Sequence, residues 1–243
     1  CSSGIGILCA AADMLKNDSE KQIIACGFDA LSIFAWSGLA KLRTMTPDII
    51  RPFDKNRNGT VFSEGAGAMV LGSEQKAKKD QKQILSLVKG YSTTNNAFHL
   101  TATDKQGKSI QLAIKAAIAD SGITPQDIQY INAHGTGTKY NDSAETAAIK
   151  KIFSEQAYKT HISSTKSTIG HCMGAAGILE AIATVKSINT GIIPATINFQ
   201  TPDPECDLDY TVNEQKSINI ENALKNSFGI GGCNSCAVLG KAK

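Results

Sequence analysis

The sequence predicts an α/β protein built on a largely parallel sheet. Three observations carry that expectation. Short apolar runs alternate with stretches of helical periodicity through most of the chain. Of 243 residues, 42% are hydrophobic and 19% charged, which suits one large globular unit or two small ones with a sizeable core. Two histidines, His134 and His171, stand in loops just past the predicted strands, where open α/β sheets place their sites.

The elements follow in order. Residues 2–16 read as a helix, with Ile5, Leu8, Cys9, Ala12 and Leu15 on one face and Cys1 at its N-terminus. Residues 21–27 read as a short apolar strand. Residues 28–60 read as mixed helix and loop, and residues 64–71 as a glycine-rich turn that becomes a buried strand. A charged run at 73–82 reads as a connector, which divides the chain into halves at 1–82 and 83–243. Strands are predicted at 84–91, 128–133, 161–165, 208–212, 223–227 and 236–239. Helices are predicted at 109–121, with Gly122 as C-cap, and at 142–153 and 173–188. The helix at 109–121 gathers Ile110, Ile114, Ala117 and Ile118 on one face. The helix at 173–188 gathers Ile178, Ile182, Val185 and Ile188.

Composition narrows the function. A formal charge of +3, with its lysines spread out, gives no footprint for nucleic acid. No apolar stretch is long enough to span a bilayer and nothing reads as a signal peptide. Seven cysteines without a disulfide spacing point to a reducing cytosol. Cys233 and Cys236 have CxxC spacing, but in a strand their side chains point to opposite faces. No His or Cys pattern suggests a metal site.

The chemistry-bearing residues are a thiol and two imidazoles. At a helix N-terminus the dipole and the unpaired N–H groups favour the Cys1 thiolate. Ser2, Ser3 and Gly4 leave a substrate room at that turn. His134 precedes Gly135-Thr136-Gly137-Thr138, and His171 precedes Cys172-Met173-Gly174-Ala175-Ala176-Gly177, so both imidazole edges have small neighbours. Two neutral imidazoles can each donate from Nε2 to one oxygen that gains negative charge. His99 and His161 lack such a setting and read as structural.

Several motifs together resemble the β-ketoacyl-acyl-carrier-protein synthases of the elongating, Cys-His-His type. They are Cys1-Ser2-Ser3-Gly4, Pro52-Phe53-Asp54 through Arg57-Asn58-Gly59, Glu64-Gly65-Ala66-Gly67, Asn132-Ala133-His134-Gly135-Thr136, Lys166 through His171, and Asn226-Ser227-Phe228-Gly229-Ile230-Gly231-Gly232. The resemblance implies a thiolase-like five-layered α-β-α-β-α fold, here an incomplete N-terminal half plus a complete C-terminal half. It also implies roles. Cys1 accepts the acyl chain. His134 and His171 hold the malonyl carbonyl through decarboxylation. The amides of Cys1 and Phe228, with Gly229 beside them, form the oxyanion hole, and Phe228 gates the acyl pocket. Thr136, Thr138 and Thr101 meet the pantetheine arm. Lys166 orients the site and pairs with a carboxylate such as Glu180. Asp142 and Glu145 match family acids, although Asp-x-x-Glu at a helix start is also an ordinary capping arrangement. The implied reaction needs no cofactor and no metal. The implied partners are acyl carrier protein and a second copy of the chain.

Thiolase is the rival enzyme reading, with Cys233 as its second reactive cysteine. Asn132-Ala133-His134-Gly135-Thr136 and Lys166 weigh against it. A hydrolase with Cys1 as an N-terminal nucleophile would explain the position of Cys1 but not the later motifs. A partner subunit that only shapes the pocket is disfavoured by the presence of Cys1. The family carries protein ahead of its cysteine, so the sequence is expected to be a fragment.

Overall fold

The computed structural model describes residues 1–242. Helix α1 (Ser3–Asn17) buries Ile5, Leu8, Cys9 and Ala11. Strand β1 (Gln22–Asp29) and strand β2 (Gly65–Gly72) form a two-stranded antiparallel sheet, with helix α2 (Ile33–Lys41) between them in sequence. Ser32 caps α2 through its Oγ, which accepts from Ala35 N. The charged connector folds as helix α3 (Glu74–Lys79).

The rest of the chain builds a larger layer. Strand β3 (Leu87–Asn95) leads to helix α4 (Lys108–Ser121), which Gly122 ends at φ 68 as expected of a C-cap glycine. Strand β4 (Tyr130–Asn132), helix α5 (Lys139–Phe153), strand β5 (His161–Ser163), helix α6 (Lys166–Ile169) and helix α7 (Met173–Thr190) follow. Strands β6 (Ile192–Ile193) and β7 (Lys216–Ser217) pair as a short ribbon. Strands β8 (Asn222–Phe228) and β9 (Cys233–Gly240) complete the set.

The central sheet has the order β3-β9-β8-β4-β5. It is mixed, which corrects the expectation of a largely parallel sheet. Strand β4 runs parallel to β5 and β8, but β9 runs antiparallel to both of its neighbours. The cause is local: β8 and β9 are joined by the tight glycine turn at 229–232, and so short a link allows only antiparallel pairing.

Two cores flank this sheet. On one face α1 and α7 pack through Ile5, Leu8, Ile178, Ala181 and Val185, and they also meet Ala25 and Leu71 of the β1–β2 sheet. On the other face α4 and α5 pack Ile110, Ile114, Ala148 and Phe153 against Leu224 and Val238. The layers therefore run β, α, β, α. Helices α1 and α7 cross with backbone in contact. A Cβ on Gly4 would fall 2.5 Å from Ile178 N, and one on Gly177 would fall 2.6 Å from Ile5 N.

Three further expectations are corrected. Strand β2 is not buried: it turns Gly65 and Gly67 onto α7, while Val70 on its outer face is 70% exposed. Residues 208–212 do not form a strand. Leu208 and Tyr210 are buried, Tyr210 stacks on Phe53 at 3.9 Å, and positive φ at Thr211 and Asn213 breaks the extended run. Strand β3 is shifted along the chain from the expected 84–91, because its ladder on β9 begins at Leu87 opposite Gly240 and ends at Asn95 opposite Cys233.

Candidate active site

Strand β4 ends one residue short of the loop at 134–137, and that loop is held by carboxylates. Glu145 Oε1 accepts from His134 N and Oε2 from Gly135 N, each at 2.9 Å. Asp142 Oδ2 accepts from Gly137 N at 3.1 Å and from Phe53 N at 2.8 Å. The capping alternative for this Asp-x-x-Glu pair is thereby corrected. Thr138 is the N-cap position of α5, and both acids reach back from the helix to tether the loop before it. Burial pushes both carboxyls above the usual carboxylate range. Phe53 sits at φ 64, and Gly59 N donates to Gly137 O at 3.0 Å, so the 52–60 segment braces the same loop.

The imidazole tautomers follow from their neighbours. Lys166, fully buried, donates from Nζ to Glu180 Oε1 at 2.5 Å and to His134 O at 2.7 Å, and its Nζ lies 3.3 Å from His134 Nδ1. An ammonium has only donors, so His134 Nδ1 must accept and Nε2 carries the proton. His171 N donates to Val61 O at 2.8 Å, and His171 Nδ1 accepts from Met173 N at 3.2 Å. His171 therefore also carries its proton on Nε2. The two rings meet edge to face with centroids 5.5 Å apart. Burial, reinforced by the Lys166 charge, holds both histidines well below the ordinary imidazole pKa, so both are neutral donors at neutral pH.

Cys1 is half-buried ahead of Ser2, the N-cap of α1. It lines a cavity of about 120 Å³ shared with His134, His171, Thr101, Thr136, Thr138, Phe228 and Gly229. Lys166, Glu180, Asp142 and Glu145 stand behind that wall and hold its loops. Thr136 Oγ1 lies 2.8 Å from Thr138 Oγ1, whereas Thr101 is exposed at the rim, its amide donating to His99 Nδ1. Phe228 ends β8 with its ring 5.5 Å from that of His134. Gly229 departs from the expectation for the oxyanion hole. Its N–H is committed to Cys233 O at 2.7 Å.

The residues read as structural stay outside the cavity. His99 accepts from the amides of Thr101 and Ala102 in an exposed turn, and His161 Nδ1 pairs with Asp209 Oδ2 at 2.8 Å. Cys233 is exposed and does not line the cavity, which removes the second cysteine that a thiolase reading needs. Sequence reasoning missed one group: Lys225, buried on β8 with Nζ 2.7 Å from Glu180 Oε2. The signal available was a lysine in the middle of a run predicted as a strand. It also missed Asn141 in the first turn of α5, and Thr44, Thr60 and Phe62, which lie in segments without a distinctive pattern; all four are on the cavity wall.

Comparison with known proteins identifies the family. The profile of the β-ketoacyl synthase N-terminal domain matches residues 1–77, and that of the C-terminal domain matches residues 85–200. The chain belongs to the β-ketoacyl synthase family. It is 42% identical to Nodulation protein E of Rhizobium meliloti over 97% of this chain and 58% of that protein. It is 39% identical to 3-oxoacyl-[acyl-carrier-protein] synthase 2 of Synechocystis sp. over 96% of this chain and 58% of that protein. The chain thus spans less than two thirds of the length of these relatives. Among solved structures, the ketosynthase of a type II polyketide synthase in complex with its acyl-carrier protein superposes over the whole chain. Its TM-score is 0.97 at 33% identity, with 62% of that chain covered. A β-ketoacyl synthase from Burkholderia phymatum gives a TM-score of 0.95 at 30% identity, with 60% of that chain covered. The thiolase-like α/β fold expected from the motifs is the fold of these neighbours. The β, α, β, α stack is four of its five layers.

Proposed function

We propose that the native protein catalyses decarboxylative Claisen condensation in fatty-acid or polyketide assembly. Its substrates are an acyl thioester and malonyl thioester carried on acyl carrier protein. One observation carries this reading: Cys1 shares a single cavity with two neutral histidines whose Nδ1 atoms are both occupied from behind.

The steps follow from those groups. The Cys1 thiolate attacks the acyl-carrier thioester, and the carrier sulfur leaves as a thiolate that takes a proton from solvent. Malonyl-carrier protein then enters past Thr101, Thr136 and Thr138. Its C–C bond breaks to release CO2, and the electron pair passes into the thioester as an enolate. The two Nε2–H donors hold the enolate oxygen, in place of an added proton or metal ion. The enolate carbon attacks the acyl group on Cys1, the C–S bond breaks, and β-ketoacyl-carrier protein leaves. Neutrality of the histidines matters, because an imidazolium carries N–H on both nitrogens and His134 Nδ1 could then no longer accept from Lys166. No group in this sequence of steps calls for a cofactor. The reading places the protein in the cytoplasm as a homodimer that meets acyl carrier protein transiently. No helix among the described residues is long and apolar enough to cross a membrane.

The test separates acylation from enolate formation. In the native protein, Cys1→Ala should abolish the acyl adduct seen by mass spectrometry while leaving CO2 release from malonyl-carrier protein. His134→Ala or His171→Ala should acylate Cys1 but lose condensation, on the order of 2.7–4 kcal/mol for one oxyanion-type donor. An adduct on Cys172 or Cys233, or wild-type CO2 release from both histidine variants, would refute the assignment.

A further inference from the structure

The catalytic reading uses Lys166 and leaves a second buried lysine unexplained. Lys225 is the fourth residue of β8, the strand between β9 and β4. Strand alternation sends Ala223 and Lys225 toward α7, while Leu224 and Phe228 face the opposite core. Lys225 is fully buried. Its Nζ lies 2.7 Å from Glu180 Oε2, off the hydrogen-bonding direction, and 3.4 Å from the carbonyl oxygens of Asn132 and Ala133, and it also donates to Asn226 O.

Those partners are the supports of the site. Asn132 and Ala133 are the residues immediately before His134. Glu180 is the carboxylate that anchors Lys166 through its other oxygen. The cluster therefore holds two ammonium groups and one carboxylate. A buried ammonium in a central strand is costly, and an apolar side chain of similar volume is generally neutral or stabilising at such a site. Packing alone gives no reason for the charge.

We propose that Lys225 is a positioning residue for His134: it clamps the end of β4 through the Asn132 and Ala133 carbonyls, and it shares Glu180 so that Lys166 stays on His134 Nδ1. The two ammonium groups then stand behind the two imidazoles. Their charge disfavours protonation of the imidazoles and favours an anion in front of them. The charged and titratable groups around Lys225 come from every packed element: Glu180 on α7, Lys166 on α6, Glu145 on α5, Cys236 on β9, and His134 and His171 in the loops. Burial lowers the Lys225 pKa and the Lys166 charge adds to that, while Glu180 and Glu145 favour its charged form.

This inference rests on the condensation reading, and the experiment separates the two. The rate of CO2 release from malonyl-carrier protein is measured against pH for the native protein, Lys225→Met and Lys225→Gln. Cys1 acylation is followed in parallel. Without the ammonium, His134 and His171 protonate more easily, so the acid limb of both variants should move to higher pH. The expected shift is about one unit, the low end of what a nearby charge produces. The pH-independent rate should fall about tenfold, while acylation stays within about threefold of the native value. Lys225→Gln, which can still donate to the two carbonyls, should fall less than Lys225→Met but show the same shift of the acid limb. If both variants keep the native rate and profile, Lys225 has no such role. If neither folds, Lys225 belongs to the fold alone and the proposal is likewise overturned. If the native protein itself releases no CO2, the condensation reading fails whatever the variants do.

Discussion

At the scale of single residues, the site works by denying its histidines a proton. His134 has Lys166 on its inner nitrogen, and His171 has the Met173 amide. Each ring is left with one outward N–H, and burial makes a second proton expensive. That arrangement leaves a mark on stability. A histidine whose folded pKa lies below its unfolded value binds fewer protons when folded. Its contribution is fully present above the unfolded value, near 6.5, and is lost as pH falls below it. Asp142 and Glu145 act in the opposite sense: their folded values are raised, so their contribution is lost as pH rises through those values. Comparing the native protein with His134→Gln cancels the two acids. Denaturant unfolding across roughly pH 7 to 5 should show the native protein losing more stability than the variant. Equal slopes would mean that His134 titrates alike in both states.

At the scale of elements, the site depends on how closely α1 approaches α7. Cys1 leads α1 and His171 precedes α7, and the two helices touch backbone to backbone at Gly4 and Gly177. An added methyl at either position meets main-chain atoms, which cannot turn aside. Gly177→Ala should therefore destabilise the protein by about 1–3 kcal/mol, the usual cost of overpacking. It should also slow condensation by moving Cys1 away from His171. A shifted denaturation midpoint with unchanged turnover would show that the crossing can relax without disturbing the cavity.

The same elements show what was legible in the sequence. The apolar faces of α1, α4 and α7 could be read because helical period and burial coincide there. Cys1, His134 and His171 could be read because small residues surround them, and these residues do line one cavity. The direction of β9 could not be read from its own apolar run; only the glycine turn before it decides that. Residues 208–212 alternate like a strand, yet Tyr210 spends its apolar face on Phe53 in a loop. Lys225 escaped notice because its partner Glu180 lies 45 residues earlier, on the helix across the sheet face.

At the scale of the whole molecule, one surface is at odds with the rest. The β1–β2 sheet is covered by α1 and α7 on one side only. On the other side Phe28 is 79% and Ile24 66% exposed, and next to them in sequence Ile33 and Phe34 of α2 are 87% and 91% exposed. A two-stranded sheet also presents two unpaired edges, each able to recruit another strand. Apolar side chains in such number on a sheet and the helix that follows it are the signature of a contact surface, not of a solvated one. Residues 1–243 expressed alone should therefore bind an apolar dye, elute as aggregates on size-exclusion chromatography, and give no condensation. Phe28→Lys with Val70→Lys should raise the soluble fraction without restoring activity, because the charges repel association but supply no missing contact. A monodisperse and active 243-residue chain would mean that this surface tolerates water.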